Sequence, residues 1–186
     1  MKGGNFMLKK LCFIAGIYGV GKTTLCEKIK NKVGIEFFSA SDIISQVNGE
    51  KYGKNKLVKN EKRNQEILIS KIKKLKDVEK ILLNGHFCIF DNNNYVIQLP
   101  IDTYSALDID LIILLERDTK EIVRELIQRD NKKYLFQDIE QLKIKEKETA
   151  IMVSKQLNIP LHIHNMTFDE SEENTIISFL EKEGVI

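Results

Sequence analysis

The sequence lacks three features that would indicate a membrane protein, a nucleic-acid-binding protein or a disulfide-linked one. It has no apolar segment long enough to cross a bilayer. Its 29 basic and 27 acidic side chains give a formal net charge of only +2, so no global field favours nucleic acid or an anionic membrane. Its three cysteines, Cys12, Cys26 and Cys88, include no close-spaced pair, which predicts buried thiols in a reducing compartment and no metal site. These absences predict a soluble cytoplasmic protein without nucleic-acid or membrane partners.

The length of the chain predicts one domain. A chain of 186 residues can bury a substantial core but is too short for two domains of ordinary size. We therefore expect a single domain over residues 1–186, with residues 1–6 lying ahead of the fold and poorly ordered.

Residues 16–23 match Gly-x-x-x-x-Gly-Lys-Thr, the pattern of a phosphate-binding loop. Backbone N–H groups of such a loop wrap a polyphosphate, and the next helix adds its positive N-terminal end. Lys22 is expected to reach the β- and γ-phosphates as the catalytic cation, and the Thr23 hydroxyl to hold Mg²⁺. An apolar run at 11–15 predicts a strand before the loop, and 24–30 predicts a helix after it. The predicted ATP-binding residues here are Gly16, Tyr18, Gly19, Val20, Gly21, Lys22, Thr23 and Thr24.

Strand and helix patterns alternate along the rest of the chain. Further strands are predicted at 35–38, 80–87, 110–115 and 161–164, with a small β-hairpin at 88–99. Further helices are predicted from about Ile43 and over 59–76, 100–107, 119–129, 138–157 and 171–183, with Thr119 and Asp138 as caps. This alternation indicates an α/β fold of three layers, a parallel sheet covered by helices on both faces. Ligands of such sheets bind beyond the carboxyl ends of the strands.

The chain resembles the adenylate-kinase-like P-loop kinases, especially the compact archaeal-type adenylate kinases and related bacterial ATP-binding proteins labelled AAA. The features that match, over about residues 8–165, are the GIYGVGKTT loop, the strand-end Asn-Gly-His-Phe at 84–87, a helix carrying arginines after the apolar fourth strand, and a fifth strand ended by Asn165. The resemblance implies a P-loop fold with sheet order 2-3-1-4-5, use of ATP with Mg²⁺, and an ATP-binding role for Asn165.

The resemblance also implies a short lid at residues 130–137, preceded by arginines. Arg124 and Arg129 lie on or at the end of the helix after strand four. In similar kinases the arginines of this segment close over the phosphates, and guanidinium groups neutralise the charge on the transferred phosphoryl group. We therefore expect catalytic and ATP-binding roles for Arg124 and a catalytic role for Arg129. The alternative is an ordinary amphipathic helix with exposed arginines.

Related kinases begin their acceptor site at the end of strand two, and His86 follows Gly85 at the edge of the same cleft, where it could contact phosphate or acceptor. The predicted acceptor-binding residues are Ser39, Ser41, Asp42, Arg63, Gly85 and His86. Asp42 would receive the acceptor proton or orient a metal-bound water. Three alternatives stay open. Ser41 or Asp42 could simply cap the next helix, Arg63 could be a solvated helix residue, and His86 could be a turn histidine.

Asn84 departs from the pattern of the family. Adenylate-kinase-like proteins usually have Asp at this position, where its charge helps to hold hydrated Mg²⁺. Asparagine can still bind a coordinated water but carries no charge. We expect Thr23 to bind Mg²⁺ directly and Asn84 to do so through water. His162 and His164 share one face of strand five. Since the sequence identifies no carboxylate or cysteine partner for them, they are interpreted as structural or packed against the nucleotide site, and not as metal ligands.

The predicted function is ATP-dependent transfer of the γ-phosphoryl group to a small acceptor, first of all a nucleoside monophosphate. A nucleoside or another small alcohol is the alternative acceptor, because residues 35–63 carry no recognisable nucleoside-monophosphate signature. An ATP-binding regulatory module with little turnover is an alternative of another class, and Asn84 is the residue that supports it. The sequence does not indicate an oligomeric state.

Overall fold

A computed structural model describes residues 9–48, 61–75, 78–91 and 93–186. A sheet of five strands lies at its centre: β1 (Lys10–Ala15), β2 (Glu36–Ser39), β3 (Lys80–Asn84), β6 (Leu111–Glu116) and β7 (Leu161–Asn165). The strands are parallel and stand in the order β2-β3-β1-β6-β7. The short strands β4 (Cys88–Phe90) and β5 (Val96–Gln98) form a separate antiparallel hairpin. Counted within the main sheet, the predicted order 2-3-1-4-5 and the predicted hairpin are therefore confirmed.

Seven helices are assigned within the described residues. They are α1 (Lys22–Val33), α2 (Ala40–Asn48), α3 (Glu61–Lys73), α4 (Ile101–Leu107), α5 (Thr119–Asp130), α6 (Phe136–Leu157) and α7 (Glu172–Lys182). Helices follow β1, β2, β6 and β7 directly, as parallel strand connections require. The three-layer α/β architecture is thus confirmed. The prediction of one domain over residues 1–186 stays a prediction, and residues 1–6 lie outside the described part of the chain.

Several helix starts differ from the sequence prediction. Asp118, not Thr119, caps α5: its carboxylate accepts the backbone N–H groups of Lys120 and Glu121 at 2.9 and 3.2 Å. Helix α6 begins at Phe136, so Asp138 lies in its first turn. Helix α2 begins at Ala40 rather than near Ile43, immediately after β2. At α5 both Asp118 and Thr119 are suitable caps, whereas α6 begins without a side-chain cap at Leu135, so capping residues alone do not set where a helix begins.

The connection between α5 and α6 is shorter than the predicted lid. Residues 131–135 join Asp130, the last residue of α5, to Phe136, the first of α6. Within this connection Tyr134 is half-buried and Leu135 is exposed.

The core is built around the middle of the sheet. The strands β1, β3 and β6 are apolar and almost wholly buried, since helices cover both of their faces. Phe13 of β1 contacts the rings of Phe87 and Tyr104 edge-on, with centroids 5.1 and 5.5 Å away. The three cysteines are buried free thiols, as predicted. Burial raises the pKa of Cys26 to about 12 and that of Cys88 to about 11.

No helix among the described residues is long and apolar enough to span a membrane. In the same part of the chain, no group of three or more His, Cys, Asp or Glu side chains could hold a metal ion.

Replacing Ile113 by Ala should test the sheet core. Ile113 is fully buried in β6, next to Ile14 of β1. Removing its three carbons should lower the free energy of unfolding by about 3 kcal/mol. The matched control is Ile144→Ala on α6, where the side chain is 48% exposed, and its effect should stay within about 0.5 kcal/mol. Urea unfolding of both variants measures the difference, and equal losses would contradict this description of the core.

Candidate active site

The phosphate-binding loop connects the carboxyl end of β1 to the N-terminus of α1, as predicted. Gly16, Gly19 and Gly21 have φ angles of +143°, +75° and +109°, a region that disfavours residues with a side chain. A Cβ atom on Gly16 would lie 2.8 Å from the Leu115 carbonyl oxygen, and one on Gly21 would lie 2.7 Å from Cζ of Phe168. The glycines are therefore required both by backbone conformation and by close packing.

Lys22 points back into the loop. Its Nζ donates to the carbonyl oxygens of Gly16 and Ile17 at 2.6 and 3.0 Å, and the residue is 9% exposed. A cation and the positive end of α1 therefore meet at one place, which is suited to bind an anion.

The two predicted metal-binding residues lie together. The Asn84 amide, at the end of β3, donates to Thr23 Oγ1 at 3.3 Å. Mg²⁺ is commonly bound by one or two protein oxygens together with substrate phosphates and water. One hydroxyl and one neutral amide fit such a shared site, in which the nucleotide supplies the negative charge. Thr24 is exposed beside them.

A cavity of about 90 Å³ opens beside the loop, on the side of β3 and helices α2 to α4. The predicted residues Ser41, Gly85 and His86 line it, and so does Tyr18 of the loop, whose ring packs on that of His86 with centroids 4.5 Å apart. The other lining residues are mostly apolar: Phe13, Ala40, Ile44, Asn64, Gln65, Leu68, Ile89, Leu99 and Tyr104.

Three predicted acceptor residues do not line this cavity. Ser39 Oγ lies 2.9 Å from Ser41 Oγ and accepts the backbone N–H of Asp42 at 3.4 Å, so Ser39 supports the start of α2. The Asp42 side chain is exposed in the first turn of that helix. Arg63 is exposed on α3. Of the predicted acceptor set, the structure therefore brings Ser41, Gly85 and His86 to the cavity.

Sequence reasoning missed two polar residues of the cavity. Asn64 and Gln65 of α3 are buried, and both line the cavity. Asn64 stands four residues before the buried Leu68, on the same helix face. The sequence did contain a sign of this, because Asn64 is a polar residue on the helix face that otherwise carries buried apolar residues.

Arg117 and Phe168 form a flat surface at the other side of the loop, and sequence reasoning missed both. The Arg117 guanidinium lies 4.4 Å from the centroid of the Phe168 ring. That ring in turn packs against Gly21 of the loop. Arg117 directly follows the carboxyl end of β6, where ligands of parallel sheets bind, so its position was a usable signal.

The predicted lid arginines have different surroundings. Helix α5 packs against Gly19 through Leu126 and Ile122. Arg124 is two residues from each of them, so it faces away from the loop, and it is exposed. Arg129 binds Asp130 through two hydrogen bonds of 2.7 Å, which raise the pKa of its guanidinium. Asn165, the predicted ATP-binding residue at the end of β7, is exposed.

Glu146 of α6 is a buried carboxylate beneath the loop that the sequence did not indicate. The residue is 1% exposed. Its Oε1 accepts the Gly16 N–H at 3.0 Å, and its two oxygens accept the N–H groups of Phe87 and Cys88 at 2.6–3.0 Å. Burial raises the pKa of Glu146 to about 7, against the opposing effects of the Phe87 hydrogen bond and the charge of Lys22.

His164 has a carboxylate partner, contrary to the expectation from sequence. Its Nε2 lies 3.3 Å from Oε1 of Glu172, a residue of α7 that is 4% exposed. Glu172 also accepts the N–H groups of Thr167 and Phe168 at 2.6 and 3.2 Å. His162 stacks on Phe179, with ring centroids 4.3 Å apart, and burial lowers its pKa. These contacts give both histidines structural partners.

Comparison with known protein families identifies the family of this chain. A family model described as an AAA domain, AAA_17, matches residues 15–143. The chain belongs to this AAA-domain family. None of the curated proteins matches the sequence. The P-loop part of the predicted resemblance is thus confirmed, and the narrower likeness to adenylate kinases stays a prediction.

Solved structures similar to this AAA-domain chain include two shikimate kinases and a gluconokinase. Shikimate kinase from Acinetobacter baumannii, in complex with shikimate, has a TM-score of 0.63 at 13% identity, over 95% of this chain and 96% of that one. Shikimate kinase from Bacteroides thetaiotaomicron has 0.59 at 14%, over 95% and 99%. A gluconokinase from Sinorhizobium meliloti has 0.54 at 8%, over 95% and 93%. At these identities the likeness establishes the fold.

Replacing Gly21 by Ala should weaken nucleotide binding. The new Cβ would collide with the Phe168 ring and hold the loop away from its observed shape. We expect the Kd for an ATP analogue to rise at least about tenfold, a loss near 1.4 kcal/mol. Gly34→Ala is the matched control, because Gly34 has φ +73° and open space around it at the far end of α1. Both variants should lose about 1 kcal/mol of stability. Calorimetry that finds equal Kd values in both would refute the role of this contact.

Proposed function

We propose that this protein is an ATP-dependent phosphotransferase that moves the γ-phosphoryl group to a small acceptor bound in the cavity beside the loop. The observation that carries the proposal is that Tyr18 belongs to the phosphate-binding loop and also lines the cavity. A phosphoryl group held by the loop would therefore lie next to whatever molecule occupies the cavity. Kinases recur among proteins of similar fold, which supports this class of reaction.

The nucleotide is proposed to bind with its phosphates in the loop and its base near Phe168. Lys22 would exchange its carbonyl partners for phosphate oxygens. The Phe168 ring and the Arg117 guanidinium offer a flat surface next to Gly21, and aromatic rings and guanidinium groups both stack on purines.

Thr23 and Asn84 are the residues proposed to hold Mg²⁺, Thr23 directly and Asn84 through water. When bound, the ion neutralises negative charge on the β- and γ-phosphate oxygens. Arg129 is the better placed of the two predicted catalytic arginines, because it lies nearer the helix face that contacts the loop. To reach a phosphate it must leave Asp130. The catalytic and ATP-binding roles of Arg124, and the ATP-binding role of Asn165, remain predictions.

The cavity favours an uncharged acceptor over a nucleoside monophosphate. Among the described residues that line it, none carries a formal charge, and Asn64, Gln65, Ser41 and His86 supply the polar atoms. The dianionic phosphate of a nucleoside monophosphate needs cationic partners. We therefore propose a nucleoside or another small alcohol with an apolar body, and a nucleoside monophosphate is the second candidate. A regulatory module with little turnover is the third, because Asn84 brings no charge to the metal site.

A transfer assay with wild-type protein tests the proposal. Mg·ATP is supplied with separate panels of nucleosides, small cyclic alcohols and nucleoside monophosphates, and product is measured by mass spectrometry. We expect phosphorylation of an uncharged alcohol, and a fall of about 100-fold or more in kcat in Lys22→Ala. Lys28→Ala, in which an exposed ion pair with Glu173 is lost, is the control and should keep full activity. Tight ATP binding without transfer to any panel would favour the regulatory module.

Replacing Asn84 by Asp should improve the use of magnesium. Asn84 is 5% exposed and lies beside Thr23, so the variant places a carboxylate of the same size at this position. We expect the Mg²⁺ concentration for half-maximal activity to fall about threefold or more, since carboxylates are stronger ligands of this ion than amides. Activity is titrated with Mg²⁺ at constant ATP. A loss of activity at saturating Mg²⁺ would mean that the amide of Asn84 has a role of its own.

A further inference from the structure

Glu146 is a buried group for which the proposed reaction has no direct use. A buried carboxylate is costly unless hydrogen bonds compensate for its lost hydration, and an apolar residue would often stabilise a core better. Here three backbone N–H groups converge on it, from Gly16, Phe87 and Cys88. These donors suit an ionised carboxylate, since a protonated one would direct its own O–H toward other donors.

The three donors belong to two segments that face different substrates. Gly16 opens the phosphate-binding loop, and its carbonyl oxygen holds Lys22. Phe87 directly follows Gly85 and His86, which wall the acceptor cavity. The carbonyl of His86 is itself fixed by the hydroxyl of Tyr104 at 2.7 Å. One side chain therefore joins the nucleotide-facing loop to the acceptor-facing turn.

We infer that Glu146 is a positioning residue for phosphoryl transfer: its carboxylate fixes the distance between the phosphate-binding loop and the turn at residues 85–88, and so aligns donor and acceptor. This role rests on the proposed function. Transfer depends steeply on alignment of the attacking oxygen with the phosphoryl group, whereas binding of either substrate alone does not require it. Loss of the Glu146 carboxylate should therefore lower kcat and leave the KM values for ATP and acceptor nearly unchanged.

Glu146→Gln is the variant that tests this role. Glutamine keeps the volume but has one acceptor oxygen, and its NH₂ group would face an N–H donor of the loop or the turn. We expect kcat to fall about 10- to 100-fold. The KM values for ATP and acceptor, and the Kd of an ATP analogue, should stay within about threefold.

Asp110→Asn is the matched control. Asp110 lies at the opposite end of β1, where its carboxylate accepts the Leu11 N–H at 2.8 Å and pairs with Lys10. The variant makes the same carboxylate-to-amide change on a hydrogen bond of the same strand, remote from both substrate segments. It should lower the melting temperature and leave kcat unchanged.

The outcomes separate this role from the proposed function. An active wild type whose Glu146→Gln variant keeps its kcat overturns the positioning role alone. A fall in kcat/KM carried entirely by KM, or equal falls in kcat in both variants, also overturns it, since either points to general loosening. A wild type that transfers nothing to any acceptor overturns the proposed function and this role with it.

The wild-type protein supplies a second test, should Glu146→Gln fail to fold. Because burial holds the pKa of Glu146 near 7, a rate that needs the ionised form should rise through that pH. The charged group that faces it is Lys22, and Glu116 of β6 pairs instead with Lys147. Raised pKa values keep the other neighbours uncharged in this range: Tyr18 of the loop, Cys88 of β4 and Tyr104 of α4.

The measurement compares kcat, determined at saturating substrates, with amide NMR shifts. Both are recorded between pH 5.5 and 8.5. The Gly16, Phe87 and Cys88 amides should titrate together and with the same midpoint as kcat. His86 is followed separately through its ring signals, so that its own titration can be distinguished from that of the three amides. A kcat that is level through the midpoint of the three amides would overturn the inference.

Discussion

Strand β1 is paired on both edges, with β3 on one side and β6 on the other, and this pairing fixes the point at which the phosphate-binding loop begins. The pairing runs to Ile14 on the β3 side and to Ala15 on the β6 side. The phosphate-binding loop therefore starts from a point that cannot shift without breaking the sheet. The Gly85 N–H donates to the Ile14 carbonyl at 3.1 Å, so the turn that begins at Gly85 is tied to the same strand end. The phosphate-binding loop and this turn therefore both start from the carboxyl end of β1.

The sequence predicted those parts of the site that depend on local pattern. The loop motif required a strand before it and a helix after it, and the alternation of the elements implied which strand ends would be neighbours. Asn84 and Thr23 meet because β3 lies next to β1. Gly85 and His86 reach the cavity for the same reason, and Ser41 reaches it because β2, which precedes it, lies next to β3.

The residues that the prediction missed depend on contacts between distant segments. Glu146 is separated from Gly16 by 130 positions and lies among charged neighbours on α6, where it looks like a solvated helix residue. Only the packing of α6 beneath the loop makes it a hydrogen-bond acceptor for the loop. Arg117, which follows β6, likewise could not be identified without its contact to Phe168, which lies on the segment after β7. The cap of α5 was misplaced by one residue because Asp118 and Thr119 are both suitable caps.

The observed position of Lys22 bears on the energetics of ligand entry. Its ammonium group is already out of water, and carbonyl dipoles of the loop take the place of its hydration shell. In the proposed function, an incoming polyphosphate would therefore meet a dehydrated cation and replace its two neutral acceptors by anionic ones. The cost of dehydration is borne when the chain folds, so the attraction at the moment of encounter is felt in a medium of low polarity, where charges act most strongly.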